Sequence, residues 1–335
     1  MSYGSTLILY WRKDFFFLMK RLTFTRHLPN ELTYFPNSAD QQKPLEETNQ
    51  DFSEVTPNFQ KSFNIAAYVN RSETLQNLLH LNVNLTQIEK KPYYAEKFLK
   101  LDFERDMKTH IIFLSDYIGM ENIGAFITKN PMIFNEDIED LKVRINYLTS
   151  KGFTNDQIQR IIENNPFWLM FSTVRIDRRL AYFQETFNLL GKEIRYLSTK
   201  QPNLITYNLH HIRTNTFVIE EEMGFKNNET KQLLLNKPRI WMLNQRALLE
   251  RFNYIHNTMK ISLEVILKNP ELLLSRLFRI KQRHLFLEKM GRAQYDPKTE
   301  NYVPLTALIT NSDVEFCNKY TKCHIDDFNT FLKTL

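Results

Sequence analysis

Beyond about residue 65 the apolar positions follow a helical period and, on a longer scale, repeat about every 35 residues. Five prolines mark the long period: Pro131, Pro166, Pro202, Pro238 and Pro270, spaced 35, 36, 36 and 32 residues apart. Four residues before them stand Ile127, Ile162, Ser198, Leu234 and Ile266. Ten residues after them stand Leu141, Ile176, Ile212, Leu248 and Ile280, and seventeen after, Leu148, Phe183, Ile219, Ile255 and Leu287. The last two sets are two helical turns apart and so share one face. Ile145, Leu180, Thr216, Phe252 and His284 fall between them and mostly fill the same stripe.

Each unit therefore predicts two helices. Asn135, Ser172, Asn208, Asn244 and Ser275 follow the prolines by four to six residues and can cap a first helix of about four turns. A break follows, often at glycine (Gly152, Gly191, Gly224, Gly291). A second helix starts at Thr154/Asn155, Asn227 or Ser262 and runs to the next proline, which cannot continue it. The segments NPMIF, NPFWLM, QPNLIT, KPRIWM and NPELLL read as short apolar turns wedged between neighbouring units. Two weaker units precede, one over 106–131 and part of one ending at Pro92. A helix pair of this kind cannot bury its own apolar face, so the units must stack, and the expected product is an all-α solenoid over 65–335. After Gly291 the register fades, and about 292–335 is expected to cap the last unit.

The first 64 residues differ. Residues 1–36 carry five lysines and arginines against Asp14 and Glu31, interleaved with aromatic and aliphatic side chains. Arg12-Lys13-Asp14 interrupts the apolar run well short of the roughly 20 residues that span a bilayer. A basic, amphipathic, acid-poor start of this kind reads as a mitochondrial targeting presequence. Residues 37–64 are polar, contain Pro44 and Pro57, hold five acids against two lysines, and read as a flexible linker.

Composition narrows the options further. Seven glycines in 335 residues, with 26 phenylalanines and 15 tyrosines, disfavour glycine-rich phosphate loops, propellers and tight hairpins. Cys317 and Cys323, with only His324 beside them, lack the spacing of a zinc site and read as free thiols. No GxxxxGK[ST], HExxH, GxSxG or paired CxxC occurs, so the chain reads as a non-enzyme needing no cofactor. The net charge is +6 and the folded part carries all of it, which permits a polyanionic partner.

The unit closing on Leu/Ile-x-x-x-Pro-x-x-Leu/Phe resembles the mitochondrial transcription termination factor (mTERF) family across 65–335. The segments LDFERDMKTHIIFLSDYIG, GAFITKNPMIF and GRAQYDP, with the closing FLKTL, are similar to the third metazoan subgroup of that family. The resemblance implies a right-to-left curved solenoid of helix pairs, each closed by a short proline-started 3₁₀ turn, with a basic concave surface that holds nucleic acid. It also implies a mitochondrial matrix location and repression of mitochondrial DNA transcription near the promoter. Support of large mitoribosomal subunit assembly through ribosomal RNA, alone or with assembly proteins, is implied as well.

Two sets of basic residues are candidates for nucleic-acid contact. Thirteen residues after the prolines stand Arg144, Arg179, Asn215, Arg251 and Arg283, at the border of the apolar stripe. A regular arginine ladder suits phosphates, but arginines there equally suit carbonyls and carboxylates of the adjacent unit. The second set lies nearer the start of the same helices: Arg175, Arg178, His211, Arg213, Arg246, Arg276, Arg279 and Lys281. Arg276, Arg279 and Arg283 share one helical face. Trp11 could stack on bases, whereas Trp168 and Trp241 fall in the wedge segments and read as core. A protein-binding solenoid scaffold and a base-per-repeat RNA reader are the alternatives, though large apolar residues beside the phased proline leave little room for the latter's packing.

Overall fold

The computed structural model describes residues 64–310 and 312–335, and among them every regular element is a helix. The expected presequence, the expected linker up to residue 63, and Trp11 lie outside the described residues. In the Pro166 unit, a 3₁₀ turn (Pro166–Met170) leads to a first helix (Thr173–Phe187) and a second (Gly191–Lys200). The Pro131 unit runs likewise through Pro131–Asn135, Ile138–Ser150 and Asn155–Asn164, and the Pro238 unit opens with Pro238–Met242. Pro202 and Pro270 open a single α-turn instead, Pro202–Thr206 and Glu271–Leu274.

The backbone closes all these turns alike. The N–H five residues after the proline donates to the carbonyl two residues after it: Glu136 to Ile133, Phe171 to Trp168, Tyr207 to Leu204, Leu243 to Ile240, Ser275 to Leu272. Successive turns touch one another, from the Pro166 turn through to one at Leu305–Leu308. The two wedge tryptophans, Trp168 and Trp241, are buried, and the Trp241 indole N–H donates to Thr216 Oγ1 at 3.0 Å. Burying one two-helix face against the next supplies most of the stability, since each large buried side chain contributes roughly 1.5–3 kcal/mol.

Local signals settle where helices begin and end. Ser172, Asn208 and Asn244 cap first helices through Arg175, His210 and Ala247 N–H. The expected caps Asn135 and Ser275 do not: Asp137 accepts from Glu139 N–H instead, and Ser275 Oγ bonds back to the Glu271 carbonyl. Gly152, Gly224 and Gly291 end first helices with φ of +77°, +80° and +65°. Gly191 instead begins a second helix, because Asn188 (φ 48°) takes the left-handed position first. Gly124 has no room for a side chain, since a Cβ there would stand 1.9 Å from the Leu81 carbonyl.

The repeat reaches further than the five prolines indicate. Pro304, 34 residues after Pro270, opens the turn Leu305–Leu308, closed by the same bond from Ile309 N–H to the Thr306 carbonyl. Two helical segments follow, Asp313–Phe316 running on through Thr321, and Ile325–Leu332. The GRAQYDP segment docks between these and the Pro270 unit. Its Tyr295 hydroxyl hydrogen-bonds Nδ1 of the buried His284 at 2.8 Å, and Arg292 donates to the Tyr320 carbonyl. Tyr254 and Tyr295 pack on the His284 ring, and Glu288 Oε1 lies 3.4 Å from its Nε2.

Two outcomes follow from this packing. Pro202→Ala removes buried ring atoms from one wedge and loosens the unfolded chain, costing about 1–2 kcal/mol and lowering Tm by a few degrees; an unchanged melting curve excludes the wedge role. Burial holds the His284 pKa below its ordinary value, with Glu288 opposing in part. The folded state thus binds fewer protons than the unfolded one below about pH 6.5, and stability falls as pH drops through that range. In thermal melts between about pH 7.5 and 5.5, His284→Gln is expected to flatten part of that decline.

Candidate nucleic-acid interface

The two sets of basic residues separate in the structure, and the turn geometry decides how. The turn-closing bond uses the carbonyl two residues after the proline, so the next carbonyl lies beyond the last turn donor and faces the preceding unit. A buried carbonyl needs a partner. At the turns that follow Pro166, Pro202, Pro238, Pro270 and Pro304, the residue thirteen after the preceding proline supplies it. Arg144 Nη1 donates to the Leu169 carbonyl. Arg179 Nη1 donates to the carbonyls of Ile205 and Tyr207. Asn215 Nδ2 lies 2.9 Å from the carbonyls of both Trp241 and Leu243. Arg251 Nη1 donates to Leu273, and Arg283 Nη1 to Ala307 at 2.6 Å and Thr310 at 2.5 Å.

Further bonds hold these groups in place. Arg144 pairs with Glu136 at 2.6 Å and Asp140 at 3.2 Å. Arg283, fully buried, pairs with Asp313 at 2.6 Å beneath the Phe316 ring. Burial pushes the guanidinium pKa of Arg179, Arg251 and Arg283 below its ordinary value. His211 joins the interior group, with Nε2–H donating to the Leu243 carbonyl at 2.8 Å. His110, in the register of the weak first unit, donates likewise to the Glu136 carbonyl. These side chains lock adjacent units together, and their donors face protein carbonyls.

The remaining candidates lie outward. Arg175, Arg178, Arg213, Arg246, Arg276 and Lys281 are exposed on the first helices of four consecutive units. Several rest on aromatic rings: Arg175 on Phe171 (4.2 Å), Arg213 on Tyr182 (5.2 Å) and Lys281 on Tyr254 (5.2 Å), the last two reaching across to the preceding unit. A cation on a ring face loses mobility yet keeps its outer donors for an anion. Arg246 also meets Glu250 at 2.8 Å. Arg276, Arg279 and Arg283 line one cavity of about 430 Å³ as their spacing predicts, with the buried Arg283 already engaged by Asp313 and the turn carbonyls.

A row of lysines lies at the proline edge of the units. Lys90, Lys129, Lys200 and Lys268 all stand two residues before a proline that opens the next element, Pro92 a helix and Pro131, Pro202 and Pro270 the short turns. Lys129 and Lys200 donate to the carbonyls of Glu163 and Leu235 at the end of the next second helix. Among the described residues no group of three or more His, Cys, Asp or Glu could hold a metal ion, and no helix is long and apolar enough to cross a membrane.

Helix-pair units bridged from side chain to turn, with outward cations along their first helices, define a helical-repeat protein. The mTERF family model matches residues 62–317, and the chain belongs to that family. It is 46% identical over 274 residues to "Transcription termination factor 3, mitochondrial" of Drosophila melanogaster, covering 82% of this chain and 77% of the relative. The protein of the same name from Mus musculus is 42% identical over 317 residues, covering 94% and 77%. "Transcription termination factor 4, mitochondrial" of Mus musculus is more distant, 26% identical over 189 residues.

The division between inward and outward arginines has a direct consequence in denaturant unfolding. Arg283→Ala leaves the Ala307 and Thr310 carbonyls without their partner and opens a cavity, and is expected to cost about 2–4 kcal/mol. Arg283→Lys recovers only part, because an ammonium lacks the planar fork. Arg178→Ala and Arg276→Ala change stability by no more than about 0.5 kcal/mol.

Proposed function

We propose that this protein is a non-enzymatic nucleic-acid-binding regulator of the mitochondrial matrix. In this reading it represses mitochondrial DNA transcription near the promoter and supports assembly of the large mitoribosomal subunit through ribosomal RNA. Residues 1–36 serve as the targeting presequence and 37–64 as a linker, and the repeats of about 35 residues stack into a right-to-left curved solenoid. The observation that carries this is the set of exposed cations, Arg175, Arg178, Arg213, Arg246, Arg276 and Lys281, spread along the first helices of four successive units. Family membership supports it, as do relatives named as mitochondrial transcription termination factors. Phosphates are the chemistry such a row fits: each guanidinium offers paired donors, and ring stacking orients them before binding.

Fluorescence anisotropy with duplex DNA and a structured ribosomal RNA fragment, across a salt series, tests this. Replacing Arg175, Arg178, Arg213 and Arg246 together by alanine is expected to weaken duplex binding for all sequences alike and to lower the salt slope by about 3 to 4. Tighter binding to the RNA makes ribosome assembly the direct role, and tighter binding to duplex DNA makes it transcription. Failure of the wild-type protein to bind either at low salt replaces this reading with a protein-binding scaffold.

A further inference from the structure

A second cationic site lies where the wedge turns begin, away from the outward face of the first helices. A cavity of about 490 Å³ opens across the junctions at Pro92, Pro131, Pro166 and Pro202, and Lys90, Lys91, Lys129, Asn164, Phe167 and Asn203 are among its lining residues. The register builds it: Lys90, Lys129 and Asn164 each stand two residues before a helix- or turn-opening proline (Pro92, Pro131 and Pro166), and Phe167 and Asn203 one residue after. All three lysines are exposed, and no carboxylate lines the cavity. Lys91 sits over the Tyr94 ring at 5.3 Å, and Lys129 makes one long bond, 3.4 Å, to the Glu163 carbonyl. Phe167 is 40% exposed although its neighbour Trp168 is buried, so the turn sends one aromatic ring into the core and leaves the other in the cavity.

We propose that this cavity binds a single-stranded polynucleotide, with phosphates on Lys90, Lys91 and Lys129 and a base stacked on Phe167 beside the amides of Asn164 and Asn203. The site shares no residue with the arginine row and its reading does not rest on it. Three ammonium groups alone would suit any polyanion. The exposed ring is what separates the choices: a base offers it a π face, whereas a peptide of aspartate and glutamate has none. A duplex keeps its base faces stacked inside the helix, so it has no use for the ring, while an unpaired strand does.

The test uses the full chain, a short fluorescent oligouridylate, a duplex DNA and a polyglutamate competitor. Replacing Lys90, Lys91 and Lys129 together by glutamine is expected to weaken oligouridylate binding at least tenfold and lower its salt slope by about 2, leaving duplex affinity within about twofold. Phe167→Ala is expected to cost about 5- to 150-fold on the single strand, and Phe167→Tyr, which keeps the ring, to restore it. Melting curves for each variant separate lost binding from lost folding, and the tyrosine variant carries the ring test if the alanine variant unfolds. Unchanged oligouridylate binding in the lysine or alanine variant overturns the proposal. So does equal loss on both nucleic acids, or polyglutamate competing as well as unlabelled oligouridylate, which makes the cavity a site for acidic proteins. Wild-type binding of duplex without single strand overturns this site and spares the arginine row; loss of duplex and ribosomal RNA binding with the single strand retained does the reverse.

Discussion

The carbonyl three residues beyond each turn-opening proline from Pro166 to Pro304 is the group around which the units are organised. Proline ends the preceding helix and starts a turn too short to satisfy its own last carbonyls. Buried between two units, such a carbonyl would cost about 1–3 kcal/mol if left unpaired. The partner comes from the unit before: Arg144, Arg179, Asn215, Arg251 and Arg283 each reach a turn of the following unit. A guanidinium donor makes the bond charge-assisted and so stronger than a neutral one. Asparagine at 215 does the same with a shorter reach, and its amide meets two carbonyls at once. Asparagines just before the prolines add a parallel strut, with Asn130 and Asn165 donating to the carbonyls of Pro166 and Pro202.

This constraint changes how the basic excess is used. Arg179, Arg251 and Arg283 bear charges that burial alone would penalise, and their carbonyl partners offset that penalty. They act as fasteners between units. The charge that solvent and partners meet comes from a different set, placed on the outer side of the first helices and at the proline edge. Several of the first-helix cations lie on tyrosine or phenylalanine rings, which accounts for part of the abundant aromatic content outside the core.

The C-terminal region obeys the same rule. Arg283 extends the row of fasteners to the carbonyls of Ala307 and Thr310, and Asp313, at the start of the following helix, answers its charge. The GRAQYDP segment inserts between Pro270 and Pro304 and is held by Tyr295 on His284 and by Arg292 on Tyr320. A segment with no repeat pattern of its own thus becomes part of the last interface, and it carries the buried histidine's polar partner.

Much of the architecture was legible in the chain. Phased prolines and apolar residues at helical spacing define units that cannot bury their faces alone, and Trp168 and Trp241 were recognisable as wedge residues in that frame. The continuation at Pro304 was present as a spacing of 34 but lacked the aliphatic pattern after it: Val314, ten residues on, is exposed. Caps were legible only where a single candidate stood near the helix start, since Asn135 and Asp137 compete within two residues. For the candidate site, the sequence determined which residues are basic and that the set thirteen after the prolines recurs, because register is a one-dimensional property. Which of them point outward was decided by the tertiary structure alone. An arginine bordering an apolar stripe serves a phosphate or a carbonyl equally well, and only the packing of the next turn puts an unpaired carbonyl within its reach.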